Sequence, residues 1–320
     1  MSAPKTTVII PTYNRRSRLE SAIESCLANS DDVDVQIIVV DDGSTDGTRE
    51  WLSALQDHRI RTILQPNQGA PAARNAGLES AEGRYIKFLD DDDELAPRSL
   101  QTEIERLEGT DASLTYGAVQ IRTPSGTSYT RISSDEYDLV GELMRDGVAA
   151  HPHAFLYHRS VLDGVWWDET LTYYQDTDFI FRVASRGVSA TRLEDTVALH
   201  NRHEGDRITT RVKRSRPVIE QQKRRIETIL RSLETLREHG ALHSHHRQAA
   251  AEGIWRWAYM AAPYDFSFFR DAIEKADTIY PGFRPDRGQP VLEWLDRHIG
   301  PQKTEALINP LRRAKRYLYA

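Results

Sequence analysis

Asp90, Asp91, Asp92 and Asp93, followed by Glu94, put five carboxylates in a row. They come directly after Tyr85, Ile86, Phe88 and Leu89, a short apolar run suited to a buried strand. Two unit charges about 4 Å apart repel by about 1 kcal/mol in water and about 4 kcal/mol at an effective dielectric of about 20. Crowding acids at the mouth of a buried strand is therefore costly unless a cation sits among them. Taken alone, the run is either a solvated acidic turn or a cation site. Its place after a buried strand, where open α/β sheets bind ligands, favours a metal and phosphate site. Pro97 suits the first turn of a helix over Ser99–Leu107, with Asp93 and Glu94 expected at that helix start.

The elements that must position these acids alternate. Thr6–Pro11 (TTVIIP) reads as a buried strand, Ser17–Asn29 as a helix carrying Leu19, Ile23, Cys26 and Leu27, and Val35–Val40 (VQIIVV) as a second strand. A helix through Leu55, a strand at Ile60–Leu64 and a helix at Ala70–Leu78 lead to the strand before the acids. Strands alternating with helices predict a parallel sheet, with its polar loops gathered at one edge. Beyond Leu107 the pattern loosens. Strands are expected at Ala112–Arg122, Ser128–Ile132, Ala154–Tyr157, Ala190–Leu193 and Val197–Leu199, with helices at Leu139–Arg145 and Asp176–Ser185. The last of these puts its carboxylates at the positive end of a helix. From about Thr209 four helical segments follow: one with Ile226, Ile229, Leu230 and Leu233, then Gln248–Ala262, Phe268–Ile279 and Val291–Ile299. Residues 1–208 are thus expected to form a catalytic domain, divided at 108/109, and 209–320 a helical annex.

Composition narrows the classes. The 320 residues carry 39% hydrophobic and 28% charged side chains, enough apolar content for a real core. The net charge of -6 argues against general nucleic-acid affinity. A single cysteine, Cys26, rules out an intramolecular disulfide and reads as a buried structural thiol in a reducing compartment. The opening residues enter a strand without a leader pattern, and no apolar run reaches the ~20 residues of a membrane span. A cytoplasmic protein is expected, with peripheral contact to the membrane's inner face open to it.

Four spaced motifs, VIIPTYNR at Val8–Arg15, VVDDGSTDGT at Val39–Thr48, GAPAARNAGL at Gly69–Leu78 and YIKFLDDDDEL at Tyr85–Leu95, resemble glycosyltransferase family 2 in kind and order. The resemblance, over about Thr6–Thr209, implies an α/β fold of the GT-A type and an inverting, metal-dependent sugar transfer from a nucleotide-sugar donor, UDP foremost, to a hydroxyl acceptor. It further implies roles for matching residues. Pro11 and Tyr13 would pack on the base and ribose, and Asp42 would accept a ring N–H of the base. Arg74 would sit near the base or phosphate, its alternative being a salt bridge to the acidic run. Asp90–Asp92 fits the DxD element, with Asp92 on a divalent cation and Asp90 and Asp91 on ribose, base or metal-bound water. Carboxylates with phosphate oxygens favour Mn²⁺ or Mg²⁺ over zinc. The general base would be Asp176, in YQDTDF, where Gln175 stands in place of the Glu common in that motif, and Asp178 is the competitor. Downstream, His203 would complete the metal shell or touch the diphosphate, with His200 as the alternative.

A zinc site would want His or Cys at close spacing, and His151, His153 and His158 offer histidines only; they read as lining the acceptor side or as structural in preference to metal ligands. The basic stretch Arg207–Arg225 reads as a solvated helix face, a phosphate-holding loop or a patch for anionic lipid. The tail Leu311–Tyr319, with Arg312, Arg313, Lys315 and Arg316, carries a weak interfacial signal. Two rivals remain: a sugar-nucleotide pyrophosphorylase, against which PTYNRR offers no glycine-rich first loop, and a non-catalytic nucleotide-sugar-binding module.

Overall fold

The computed structural model describes residues 5–126, 128–131, 137–146, 151–203 and 218–318. Strands β1 (Thr6–Thr12), β2 (Val35–Asp41), β3 (Ile60–Leu64) and β4 (Tyr85–Phe88) pair in parallel, linked by helices α1 (Arg16–Asn29), α2 (Thr48–Ala54) and α3 (Ala70–Glu79). Every residue of β1 and β4 is buried, which is why these strands read as continuous apolar runs and not as alternation. The sheet continues through β8 (Phe155–His158), β6 (Leu114–Arg122), β9 (Ala190–Asn201) and β5 (Glu94–Leu95). Its order is β3-β2-β1-β4-β8-β6-β9-β5, with β7 (Ser128–Arg131) on β6. Helix α4 (Ser99–Glu108) follows β5, and α6 (Gln175–Ala184) precedes β9.

The sheet departs from the sequence expectation in three places. Asp93 and Glu94 do not start a helix. Glu94 and Leu95 form the two-residue β5, antiparallel to β9, and α4 begins at Ser99 after Arg98 in a left-handed conformation with φ 60°. Pro97 accordingly lies outside the helix. The two short strands expected at 190–199 are one continuous strand, β9, paired with β6 through register irregularities at Tyr116, Ala118 and Val119. Such bulges locally disrupt the ladder and blur a simple alternation.

The core under α1 and α4 joins Val8, Ile10, Leu19, Ile23, Cys26, Ile37, Val39, Leu100 and Ile104. Burial pushes the Cys26 thiol up to about 12, so it packs as a small apolar group. Lys87 of β4 is fully buried with Glu103 of α4, its Nζ 2.6 Å from both carboxylate oxygens. On the other face α3 approaches β1 closely at Gly77, where a Cβ would lie 2.4 Å from Ile9 Cγ2.

A second compact unit contains α7 (Val218–Glu238), α8 (Ser244–Ala261), α9 (Phe266–Ile279), α10 (Pro290–Ile299) and α11 (Pro301–Leu318). Helix α5 (Leu139–Asp146), read from sequence as part of the 109–208 half, groups with these helices. It packs on α8 at Gly253, where a Cβ would overlap the Met144 carbonyl at 1.9 Å. Inside this unit Arg287 is buried against Asp296 and Glu305 and lies over Trp255, its guanidinium 4.6 Å from the ring centroid. Arg312 of α11, in the expected interfacial tail, pairs with Glu305 and stacks on Tyr259 of α8. Of the basic stretch 207–225, residues up to 217 lie outside the described residues. Arg225 stacks on Trp257 at 4.0 Å.

Candidate active site

The acidic run leaves β4 at the sheet edge, and each aspartate is partnered there. Asp90 Oδ1 accepts from Arg74 Nη2 at 2.7 Å. Asp91, buried, accepts from Thr12 Oγ1 at 2.7 Å at the end of β1, with Arg15 Nη1 at 3.4 Å. Asp92 pairs with Arg15 through Oδ2, which also lies 2.9 Å from His203 Nε2. Asp93 takes the Asn201 N–H on Oδ1 at 2.9 Å and faces His200 Nδ1 with Oδ2 at 3.0 Å. Cations and donors from three separate segments, residues 12–15, Arg74 and residues 200–203, thus offset the repulsion that the sequence makes inevitable. Burial still pushes Asp91 up to about 7 against the pull of Arg15, and Asp93 up to about 7 against that of His200.

Arg74 connects this run to α6. Buried on α3, it reaches Gln175 Oε1 with Nη1 at 3.3 Å, and the same nitrogen lies 3.6 Å from Asp176 Oδ1. Its guanidinium lies over Trp167 at 4.4 Å, and Trp167 stacks on Phe179 of α6 with ring centroids 4.1 Å apart. This column of Arg, Trp and Phe sets α6 against the acidic run. Burial opposes the Arg74 charge, but Asp90 and Asp176 outweigh it and hold the guanidinium more firmly protonated. The residue before α6, Tyr174, is left-handed at φ 65°, an uncommon state for an aromatic residue and a mark of a constrained position. Oδ1 of Asp176 is shielded from solvent and, among the described residues, has no hydrogen-bond partner. Burial raises the Asp176 carboxyl to about 6, Arg74 working against the rise and Asp90 adding to it. Asp178 is committed elsewhere: it pairs with Arg182 Nε at 2.7 Å along α6.

The loops after β1 and β2 are tied together. Asn14 N–H donates to Ser44 Oγ at 2.9 Å, and Asn14 Oδ1 accepts from Thr45 N–H at 2.7 Å. Pro11 is buried within β1, and Tyr13 beside this junction is exposed. Asp42 is buried, and its carboxylate clamps the loop before α3. It accepts from Gln65 Nε2 at 2.7 Å, Gln68 N–H at 2.9 Å and Gly69 N–H at 2.8 Å. A carboxylate has about four acceptor positions, so these three donors leave one over. Gln65, Gln68, Ala72, Asn75, Trp166 and Trp167 line a cleft of about 640 Å³ beside this clamp.

The histidines regroup relative to the expectation. His158 stands apart, its Nδ1 2.7 Å from Ser160 Oγ and its ring edge-on to Tyr85. Its place is taken by His200 of β9. The rings of His151 and His153 lie 5.2 Å apart, those of His151 and His200 4.4 Å, and those of His153 and His200 5.9 Å. His153 is fully buried, and burial together with the neighbouring His151 and His200 holds it well below the usual imidazole range, hence neutral. Its Nδ1 is 3.2 Å from Asp93 Oδ2, too poorly aligned for a hydrogen bond, so among the described residues neither ring nitrogen has a partner.

Asp92 and His203 are donor types that would suit a divalent cation. A carboxylate oxygen and an imidazole nitrogen converge within 2.9 Å at the site's rim. Phosphate oxygens and water would fill the remaining positions of such an ion. Arg15, at the end of the first motif, bears on the acids from the loop after β1. Its guanidinium spans 76 and 77 residues of chain to reach Asp91 and Asp92. A lone Arg after PTYN carries no local signal of that reach.

The sequence profile described as Glycosyl transferase family 2 matches residues 7–166, half of the chain. The succinoglycan biosynthesis protein ExoO of Rhizobium meliloti is 37% identical over 134 residues, 42% of this chain and 38% of that protein. The GalNAc(5)-diNAcBac-PP-undecaprenol beta-1,3-glucosyltransferase of Campylobacter jejuni is 45% identical over 107 residues, 32% of this chain and 34% of that protein. The chain thus aligns with little more than a third of the length of either relative. The solved structure of S. aureus TarS 1-349 in complex with UDP-GlcNAc is similar with a TM-score of 0.68 at 17% identity, covering 97% of this chain and 92% of that one. The mannosyltransferase PcManGT from Pyrobaculum calidifontis, in complex with GDP-Man and Mn2+, is similar with a TM-score of 0.52 at 16% identity, covering 97% of this chain and 88% of that one. The fold is of the GT-A type, and the chain belongs to glycosyltransferase family 2.

Proposed function

We propose that the protein is an inverting glycosyltransferase that moves one sugar from a nucleoside-diphosphate sugar, UDP-linked foremost, to a hydroxyl of a glycan or lipid-linked acceptor. The observation that carries this reading is the Arg74 bridge. One buried guanidinium contacts Asp90 in the acidic run and approaches Asp176 at the start of α6. A base candidate raised to about 6 therefore stands beside the carboxylates suited to a diphosphate and its ion. Asp176 takes the proton of the acceptor hydroxyl as that oxygen bonds to the anomeric carbon. The bond from that carbon to the diphosphate oxygen breaks on the opposite face, inverting the configuration. Asp92 and His203 would hold Mn²⁺ or Mg²⁺, which when bound neutralises charge on the leaving diphosphate. Arg74 and Arg15 steady the carboxylates, Asp42 keeps one acceptor position for the base, and Pro11 and Tyr13 flank it.

The acceptor class follows the relatives, whose names speak of succinoglycan and an undecaprenol-linked glycan. Among the described residues no helix is long and apolar enough to cross a membrane. A cytoplasmic protein meeting a lipid-linked acceptor at the inner face is consistent with that. The experiment is calorimetric titration of the full chain with UDP and Mn²⁺, run beside a transfer assay. Asp176→Asn is expected to keep donor binding and lose transfer, and Asp92→Ala to lose metal-stimulated binding. Asp92→Ala with unchanged titration would sink the metal assignment. Transfer surviving in Asp176→Asn would sink the base.

A further inference from the structure

We infer that His151, His153 and His200 form a second metal site, selective for zinc-class transition ions and separate from the Asp92–His203 pair. One ring nitrogen from each of the three lies within 4.8 Å of the other two. A tetrahedral ion with metal–nitrogen bonds of about 2.0–2.1 Å holds its ligands about 3.4 Å apart, so modest ring rotation closes the set. Three imidazoles select Zn²⁺, Co²⁺, Ni²⁺ or Cu²⁺, whereas carboxylates and phosphates suit Mg²⁺ and Mn²⁺.

Two independent features point to an ion and away from simple packing. First, His153 is fully buried with both ring nitrogens unpartnered among the described residues, an arrangement that a folded chain rarely leaves without a ligand. Second, Asp93 Oδ2 faces Nδ1 of His200 at 3.0 Å and Nδ1 of His153 at 3.2 Å. The carboxylate holds His200 through Nδ1 and so leaves its Nε2 for a metal, the usual outer-shell arrangement of a ligating histidine, while among the described residues the His153 ring stays unheld on either nitrogen. Asp90 and Asp93, each with an oxygen within 4.8 Å of a His153 nitrogen, supply negative charge for a dication.

The other histidine cluster lacks these features. At the start of α8, His246 Nδ1 accepts the His243 N–H at 3.1 Å, so Nε2 carries the proton and meets Asp138 Oδ2 at 2.7 Å. That ring is satisfied as a helix cap and has no lone pair to offer. The 151–153 turn and the end of β9 would be joined by the proposed ion. Since β9 ends at Asn201, two residues before His203, an ion there would brace the segment that presents His203.

The test is titration of the metal-free full chain with Co²⁺ alone, without nucleotide, followed by visible absorbance. One equivalent is expected to give the intense bands of four-coordinate Co²⁺, displaced by one equivalent of Zn²⁺ and unaffected by excess Mg²⁺. His151→Ala is the main variant because His151 is only partly buried, and it is expected to weaken Co²⁺ binding at least tenfold. His203→Ala and His245→Ala are expected to keep the bands. Circular dichroism and a thermal melt of His151→Ala confirm that it folds; His200→Ala replaces it if it does not. Absence of a saturable band, or bands that survive His151→Ala and His200→Ala, overturns the site. Bands lost in His203→Ala assign the ion to the diphosphate site instead and overturn it too. The outcome is independent of whether Asp176→Asn retains transfer.

Discussion

At the scale of residues, Asp176 and its surroundings make the sharpest prediction. Its carboxyl is raised to about 6, with burial as the main cause. A general base works only when deprotonated, so kcat/KM should fall tenfold per pH unit below about 6 and level off above it. Asp176→Asn should cost about 10²–10⁴ in rate and remove that acidic limb. A limb that persists in the variant would assign the titration to another group. Arg74 bears on the same carboxyl from 3.6 Å and pulls its pKa down. Arg74→Met should therefore shift the limb upward in pH, while Asp178→Asn should leave it in place. A pH profile of the three variants separates these roles.

Between elements, two contacts decide how the site's floor is held. Lys87 on β4 and Glu103 on α4 form a fully buried ion pair directly before the acidic run. Burial pushes Glu103 up to about 7 even against the attraction of Lys87. Lys87→Met alone strands a carboxylate in the core and should cost about 3–5 kcal/mol in urea unfolding. The double variant Lys87→Met with Glu103→Leu should recover most of that loss, since replacing both charges of a buried pair is often neutral. A double variant as unstable as the single would show that the pair is not the reason. Gly77 sets the α3–β1 spacing that carries Arg74 to Asp90. Gly77→Ala drives a methyl to within 2.4 Å of Ile9 Cγ2. It should destabilise by about 1–3 kcal/mol through overpacking, read from the urea midpoint.

For the whole molecule, ligand linkage is the appropriate test. A ligand at about 100 times its Kd that binds only the folded state adds about 2.7 kcal/mol. UDP with Mn²⁺ should therefore raise Tm by several degrees, and UDP with chelator by less. ADP should do little, because the acceptor position left on Asp42 suits an imide N–H and adenine has none. A screen in which no nucleoside diphosphate moves Tm would reject the donor reading. The second unit has its own determinants of stability, among them the buried Arg287 with Asp296 and Glu305. Unfolding followed by both fluorescence and circular dichroism tests whether the two units melt together.

What the sequence determined by itself is the local and periodic part. Continuous apolar runs mark β1, β2 and β4, helical spacing marks α1, α3, α4 and α6, and four motifs at strand ends identify the family. These depend on neighbours within a few positions, so they are legible without the fold. The final helix α11 and the two-residue β5 were missed. The first holds Pro310 in its interior and so breaks the usual helical signal, and the second is too short to show a period. Only the tertiary structure decided which side chains meet. Arg15 joins Asp91 and Asp92, Lys87 meets Glu103, and His200 rather than His158 stands beside His151 and His153. Each of these partnerships follows from sheet order and from the face on which a side chain emerges. The acidic run shows the division most plainly: its charge was evident in four letters, but its partners came from three distant segments, residues 12–15, Arg74 and residues 200–203.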